Sequence, residues 1–329
     1  MKRVAVWGTG SIGMRHLSVL KQMSNIQPVA IPKRTGRFKE LEEAGFLVAL
    51  DIQSAVRMGA SACIIATDTS RHVEDGLKVL ESGLDLLVEK PMSTDADSAM
   101  RLYNVAKEKK KKLFVGCNLR CCESLLGFRK MLKQVGPIHS VRMECQSYLP
   151  DWRPDRPYLQ SYSARAKEGG VLLDLIHEID YAGWLFGWPK YLKADIRNLG
   201  ILNIESEETA EIQWENNDGG LLSIHLDYLS RPSRRMIKVY GKEGTLTWDG
   251  IKGIVLLELA GLSPKEFSYP QTRNEMFLKQ AESFLNICEE SDLKYPIATG
   301  EEGIKALAVC DAIRLASQSR KEEKVAYLT

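Results

Sequence analysis

The sequence predicts an α/β protein with two domains: an N-terminal doubly wound parallel sheet, and an α+β domain with a large open, mainly antiparallel sheet. The length of 329 residues is about twice that of a typical domain. Short apolar runs alternate with helical stretches up to about residue 120, and longer strand-like runs follow one another after it. We therefore expect domains at 1–120 and 121–329.

The first domain is predicted from six apolar runs separated by helical patterns. The runs are continuously apolar, as parallel strands covered on both faces require. They predict strands at Arg3–Trp7, Pro28–Ile31, Phe46–Leu50, Ala62–Ala66, Leu84–Val88 and Leu113–Cys117. Helices are predicted between them, near residues 14–23, 37–44, 52–58, 72–82 and 95–109.

The second domain is predicted from strands that follow one another without intervening helices, which is typical of an antiparallel sheet. The segments at 217–220 and 242–244 have the composition of hairpin turns. A helix near 123–134 and a strand at 138–148 come first, and a polar stretch leads to one helix from Val171 to Phe186. The remaining elements are strands near 191–199, 208–215, 220–229, 235–240, 245–248 and 253–259, and helices near 274–290 and 300–318.

Composition and charge narrow the function classes. With 45 basic and 43 acidic side chains the net charge is +2, which does not favour a nucleic-acid or membrane partner. No run of 18 apolar residues is present. The seven cysteines form no Cys-x-x-Cys pair and the histidines lack metal-ligand spacing. We expect reduced thiols, no metal and a cytoplasmic location.

A glycine-rich turn follows the first strand and opens the first helix. Its residues fit G-x-G-x-x-G in the order Gly8, Thr9, Gly10, Ser11, Ile12 and Gly13. Glycines allow a tight turn and close approach of a pyrophosphate to the helix N-terminus, whose free N–H groups bind anions. The motif in this place predicts a Rossmann dinucleotide-binding domain; the alternative is a tight structural turn.

The segment after the second strand bears on the choice of dinucleotide. An acidic residue for the ribose 2′-OH is usual here, but no Asp or Glu precedes Glu40, and Lys33, Arg34 and Arg37 occur instead. Cationic side chains suit a 2′-phosphate. The sequence therefore favours NADP and leaves NAD possible, against the alternative of a solvated basic loop.

A lysine stands at the end of the fifth strand, in Glu89-Lys90-Pro91. Ligands of doubly wound sheets bind beyond the carboxyl ends of the strands. Lys90 there could hydrogen-bond an oxygen at a reacting carbon and stabilise developing negative charge. From position alone, an ordinary surface lysine is the more common case.

Several segments together resemble the glucose–fructose oxidoreductase / inositol 2-dehydrogenase / MocA (Gfo/Idh/MocA) family. They are the glycine turn, Ala66–His72, Glu89-Lys90-Pro91 and the stretch Pro296–Gly303. The resemblance implies an NAD(P)-dependent oxidoreductase in which Lys90 is catalytic, Thr67 and His72 line the cofactor, and Glu89 lies near the nicotinamide. It also implies an α+β domain whose open sheet forms subunit contacts, so a homodimer or homotetramer.

The predicted helix at 171–186 carries a second group of polar residues. Asp174, His177, Glu178 and Tyr181 share one face at helical spacing. His177 suits proton transfer because its unperturbed pKa is about 6.5; the alternative is a polar face that meets water. The family pattern places the aspartate four residues before the histidine, whereas Asp174 stands three before His177. We expect His177 to accept the proton, with Asp174 as a catalytic or substrate residue and Glu178 as a possible substitute that orients the imidazole.

Further candidates for substrate contact lie on loops. Arg120 matches a family arginine, with a salt bridge at the domain junction as the alternative. The loop after the strand at 138–148 is rich in aromatic and arginine residues that suit sugar rings and anions, namely Trp152, Arg153, Tyr162 and Arg165. The alternative is a loop packed by its own side chains. We expect Arg231, Arg234 and Arg235 to be charges at a sheet edge.

Taken together, these features predict hydride transfer between NAD(P) and a secondary alcohol or ketone of a sugar or nucleotide sugar. The stretch 148–186 resembles a subgroup associated with bacterial surface glycans. Two alternatives remain: a reductase of a non-sugar carbonyl or imine, and a non-catalytic NADP(H)-binding regulator or sensor.

Overall fold

A computed structural model describes residues 1–154 and 156–327, apart from the side chain of Thr35. Its strands are, in chain order, β1 (Lys2–Trp7), β2 (Ile26–Ile31), β3 (Leu47–Val48), β4 (Ala60–Ile65), β5 (Asp85–Val88), β6 (Leu113–Val115), β7 (Ile138–Gln146), β8 (Tyr191–Arg197), β9 (Thr209–Glu215), β10 (Leu221–Asp227), β11 (Arg234–Gly241), β12 (Gly244–Asp249), β13 (Ile254–Leu259), β14 (Lys265–Ser268), β15 (Ala298–Thr299) and β16 (Glu323–Lys324).

The α-helices are α1 (Ser11–Gln22), α2 (Phe38–Glu43), α3 (Ile52–Arg57), α4 (His72–Glu81), α5 (Ala96–Glu108), α6 (Glu123–Met131), α7 (Val171–Asp174), α8 (Ile176–Phe186), α9 (Arg273–Cys288) and α10 (Gly300–Ser319). No helix in the described ranges is long and apolar enough to cross a membrane.

The chain forms two compact units. The first contains 1–121 and 272–304, and the second contains 122–271 and 305–329. The prediction of two consecutive domains, 1–120 and 121–329, did not include residues 272–304 in the first unit. The physical reason is that α9 packs on α1, where the Phe277 ring meets the His16 ring edge-on at 5.1 Å between centroids.

The first unit is built on the predicted parallel sheet. The strand order is β15-β6-β5-β4-β1-β2-β3, and every pair is parallel except β15 with β6. Strands β1, β4 and β5 each contain a continuous run of at least three buried residues, which confirms the prediction made from their apolar runs. The loops after these strands carry the predicted cofactor residues.

The second unit is built on a nine-stranded sheet in the order β14-β13-β12-β11-β7-β10-β9-β8-β16. All its pairs are antiparallel except β7 with β10. The turns between β9 and β10 and between β11 and β12 are the predicted hairpins. Buried residues alternate along β7, β9 and β11, so one face holds the core and the other is polar.

Candidate active site

The glycine turn has the geometry of a dinucleotide cradle. Gly8 has φ +101°, and a Cβ there would overlap the Ala66 carbonyl group. A Cβ on Gly13 would overlap the Gly8 carbonyl oxygen, whereas no atom of the described residues lies within 4 Å of a would-be Cβ on Gly10. Helix α1 starts just after Gly10 with no side-chain cap. The turn therefore closes tightly and leaves open space at a helix N-terminus, as a bound pyrophosphate requires.

The basic residues after β2 differ in their contacts. Arg37 donates to the Thr9 carbonyl and forks onto both oxygens of Glu40, at 3.0 and 2.7 Å. These hydrogen bonds raise the pKa of Arg37 and lower that of Glu40. Lys33 lies 3.6 Å from Asp68 in an exposed ion pair. Arg34 is exposed and has no side-chain partner in the described ranges.

The loop after β4 is held by a buried histidine. His72 is 1% exposed, and its ring nitrogens lie 2.8 Å from the Pro91 carbonyl and 3.0 Å from the Thr67 carbonyl. Burial lowers its pKa. Thr67 in turn donates to Asp75 at 3.0 Å. The ring is placed to fasten the loops after β4 and β5 together, and its predicted contact with a cofactor stays a prediction.

Glu89 and Lys90 lie at the carboxyl end of β5, as predicted. Glu89 is buried, and one of its oxygens lies 2.6 Å from Nε2 of His16 on α1. Its other oxygen accepts the Lys90 backbone N–H at 3.3 Å. A Cβ on Gly116 would come within 3.0 Å of this carboxylate. Lys90 is half-buried. His16 is a site residue that was not predicted, although a polar residue in the buried stripe of α1 with Leu17 and Leu20 was a usable signal.

Arg120 is buried in an ion pair. It is 2% exposed, and its guanidinium donates to Glu302 at 2.7 Å. Glu302 also accepts from the Thr299 N–H at 2.9 Å, at the start of α10. The ion pair lies within the first unit, so it is a structural salt bridge but not one at a domain junction. The predicted contact of Arg120 with a substrate stays a prediction.

In the second unit, the helix predicted from Val171 to Phe186 is interrupted. α7 ends at Asp174, Leu175 leaves helical geometry with φ −99° and ψ 25°, and α8 begins at Ile176. The prediction of one continuous helix was therefore wrong. His177 lies in the first turn of α8 and is half-buried.

Asp174 belongs to a cluster that unites several predicted substrate residues. The Tyr228 hydroxyl, which is fully buried, donates to Asp174 at 2.6 Å. Tyr162 also hydrogen-bonds Asp174, and burial and this carboxylate raise its pKa. Trp152 packs edge-on against Tyr228 at 5.4 Å, and the Arg153 guanidinium lies 5.9 Å from the Tyr162 ring centre. Tyr228 was missed because nothing local to the end of β10 relates it to a distant helix.

The remaining predicted residues of this unit have other partners. Arg165 is exposed and pairs with Glu168 at 2.6 Å. Glu178 is fully buried and accepts from Arg235 at 2.7 Å and from Tyr181 at 2.9 Å. The expectation that Glu178 orients the imidazole is therefore corrected: its Oε1 is bonded to Arg235 and Tyr181, and its buried Oε2 has no hydrogen-bond partner in the described part of the chain. The polar face does not meet water as the alternative had it, since Glu178 and Tyr181 are buried.

The prediction that Arg234 and Arg235 are charges at a sheet edge was wrong. β11, which begins with Arg234 and Arg235, lies between β7 and β12 in the interior of the sheet. Arg235 reaches the core carboxylate of Glu178, whereas Arg234 stays exposed. Arg231 precedes β11 and pairs with Asp151 at 3.1 Å.

Comparison with known proteins defines the class. A model described as an oxidoreductase family with an NAD-binding Rossmann fold matches residues 2–117. The GFO/IDH/MocA C-terminal domain model matches residues 129–247. With the glycine cradle, these matches define an NAD(P)-binding oxidoreductase. The chain belongs to the Gfo/Idh/MocA family, as the sequence motifs predicted.

Relatives extend over the whole chain. Inositol 2-dehydrogenase of Rhizobium meliloti (strain 1021) is 23% identical over 333 residues, covering 97% of this chain and 98% of the relative. The structure of levoglucosan dehydrogenase in complex with NADH matches with a TM-score of 0.88 at 17% identity, covering 99% and 100%. UDP-N-acetylglucosamine 3-dehydrogenase from Acidithiobacillus ferrooxidans matches with a TM-score of 0.80 at 18% identity, covering 97% and 98%. At these identities the two structural likenesses establish the fold.

Proposed function

We propose that this oxidoreductase acts on a secondary alcohol or ketone of a sugar or nucleotide sugar, with Lys90 and His177 as its catalytic residues. The observation that carries the proposal is the position of Lys90 at the carboxyl end of β5. In the same parallel sheet, β4 separates β5 from β1, the strand that leads into the open glycine cradle. When bound, the nicotinamide cofactor accepts or donates the hydride.

Each residue has a separate task in alcohol oxidation. The Lys90 ammonium group hydrogen-bonds the substrate oxygen and stabilises its negative charge as the hydride leaves the carbon. His177 takes the hydroxyl proton. Asp174, fixed by Tyr228, binds a further hydroxyl of the sugar. In the direction of reduction the proton returns from His177 to the oxygen.

Activity is tested by following absorbance at 340 nm with a panel of polyols, sugars and nucleotide sugars and both nicotinamide cofactors. Lys90→Ala should lower turnover at least ~10²-fold while cofactor binding survives, and His177→Asn should lower it ~10²–10⁴-fold. Lys78→Ala and His139→Asn, both at exposed positions, serve as matched controls. Dinucleotide binding without turnover on any substrate would favour a regulator instead.

The finer cofactor preference we propose is for NADP, read mainly by Arg34. Arg34 is exposed and its guanidinium has no partner in the described part of the chain, so it can meet a 2′-phosphate without breaking an ion pair. Arg37 lies beside the cradle but is engaged with Glu40. Arg34→Glu should weaken NADPH at least ~10-fold more than NADH, and Lys39→Glu should affect neither. Equal effects of Arg34→Glu on both cofactors would remove the basis for this preference.

For the substrate we propose a sugar that carries an anionic group. Arg153 is exposed near the Asp174 cluster and has no carboxylate partner among the described residues, so it can bind a carboxylate or phosphate. Arg153→Glu should raise KM for charged sugars ~10-fold or more while neutral sugars change little. Lys167→Glu, another exposed cation of this loop, is the control. Tyr228→Phe should raise KM for all sugars, because it frees Asp174 to reorient.

We further propose a cytoplasmic homodimer or homotetramer that assembles through the polar face of the nine-stranded sheet. All seven cysteines are free thiols, which suits a reducing compartment. Light scattering coupled to size exclusion measures the oligomeric state. A monomer at micromolar concentration would contradict the assembly.

A further inference from the structure

The first unit contains a buried histidine–carboxylate pair that connects helix α1 to the carboxyl end of β5. His16 lies on α1, whose N-terminus opens at the glycine turn, and Glu89 immediately precedes Lys90. The two side chains are 1% and 8% exposed, and Nε2 lies 2.6 Å from the carboxylate oxygen. Burying polar groups is costly unless they are paired, and here the two side chains pair with each other.

The direction of this hydrogen bond follows from the surroundings of the ring. A carboxylate oxygen accepts, so Nε2 of His16 carries the proton. Nδ1 is buried and has no hydrogen-bond partner in the described part of the chain. The tautomer protonated on Nε2 alone avoids burying an unpaired N–H at Nδ1. His16 is therefore a fixed donor that holds the Glu89 carboxylate.

The Glu89 carboxylate also binds the backbone of Lys90. Its second oxygen accepts the Lys90 backbone N–H at 3.3 Å, and Gly116 provides the space that the carboxylate occupies. From the other side, His72 contacts the carbonyl of Pro91 at 2.8 Å. The backbone around Lys90 is thus held from both directions by imidazole rings.

We infer that His16 is a positioning residue that acts through Glu89 to fix Lys90 relative to the helix that cradles the dinucleotide. The inference rests on the proposed catalytic role of Lys90. Both oxygens of Glu89 are engaged within the protein, and its predicted proximity to the nicotinamide stays a prediction. A displacement of about 1 Å in a catalytic group costs up to ~10²-fold in rate.

Two substitutions separate positioning from packing. His16→Phe fills a similar volume next to Phe277 but cannot donate, and His16→Gln keeps an amide N–H for Glu89. His16→Phe should lower kcat ~10- to 100-fold while the NADPH Kd, measured by fluorescence, changes less than ~3-fold. His16→Gln should recover most of the rate. A near-normal kcat in His16→Phe, or equal losses in both variants, would overturn the inference.

A double substitution tests whether the effect passes through Lys90. In a Lys90→Ala background, His16→Phe should cost less than ~2-fold further in residual rate, because the group it positions is gone. A further loss as large as in the wild-type background would refute the inference.

Hydrogen–deuterium exchange of peptides covering 86–92 provides a readout without turnover. Exchange at the Lys90 amide should be faster in His16→Phe and in Glu89→Gln than in the wild-type chain without ligand, and unchanged exchange in both would refute the positioning role. If the wild-type chain turns over no substrate, the proposed function fails, and the exchange measurement still decides whether the pair holds this backbone.

Discussion

Arg235→Met tests whether the core of the second unit contains a buried ion pair. The arginine contacts Glu178 at 2.7 Å, and Glu178 is fully buried. Without the guanidinium, Oε1 of Glu178 keeps one hydrogen-bond donor among the described residues, the Tyr181 hydroxyl at 2.9 Å. Removing one partner of a buried pair costs about 3–5 kcal/mol. Because the Arg235 side chain is 26% exposed, we expect the lower limit, about 3 kcal/mol.

The assay is urea unfolding followed by tryptophan fluorescence, since Trp248 packs against Tyr181 at 5.7 Å and reports on this region. Arg234→Met is the matched control: its side chain is 54% exposed and lies 3.9 Å from Glu144, so about 0.5 kcal/mol or less should be lost. If Arg235→Met costs no more than Arg234→Met, the buried pair contributes nothing and the reasoning fails. Adding Glu178→Gln to Arg235→Met should recover part of the loss, because no uncompensated charge then remains.

The glycine turn and the polar face of the second sheet offer two further tests. Gly10→Ala should change the free energy of unfolding by less than about 1 kcal/mol, yet weaken dinucleotide binding at least ~10-fold in calorimetry. Gly13→Ala should instead destabilise the first unit, because its Cβ overlaps the Gly8 carbonyl. A Gly10→Ala protein with unchanged affinity would exclude a pyrophosphate there. His225 lies between two carboxylates, and the hydrogen bond with Asp227, with lesser help from Glu211, raises its pKa to about 9. The contribution of His225 to the free energy of unfolding should be complete below its unfolded pKa of about 6.5 and be lost as the pH rises through about 9. We expect this contribution to be on the order of 1 kcal/mol after solvent screening. Unfolding at pH 7 and pH 10 should show a smaller pH effect in His225→Gln, and an equal effect in both proteins would contradict this assignment.

The sheet of the first unit was predictable because its signals are local. Continuous apolar runs identify β1, β4 and β5, and a glycine turn marks the boundary between β1 and α1. The placement of α9 was not predictable in the same way. Its sequence indicates a helix, but the contact of Phe277 with α1 depends on a partner about 260 positions away, which no local period encodes.

The candidate site shows the same division between local and distant information. The cradle glycines and Lys90 follow from their positions next to strands. His16 and Tyr228 act through partners on other elements, Glu89 and Asp174, so their roles appear only when the chain is folded. Likewise, Arg235 is indistinguishable from Arg234 in the sequence, and strand geometry decides which of the two enters the core.

The position of Asp174 shows why spacing along a helix was the wrong basis for judging its role. On a continuous helix, a shift of one residue rotates a side chain by about 100°, which would separate the aspartate from its family position. Here Leu175 interrupts the helix between Asp174 and His177, so no common axis fixes the angle between them. The Tyr228 hydroxyl holds the carboxylate instead, from a strand end elsewhere in the same unit. The altered spacing is therefore compatible with a retained acidic residue in the site, because its direction is set by a tertiary hydrogen bond and not by the helical period.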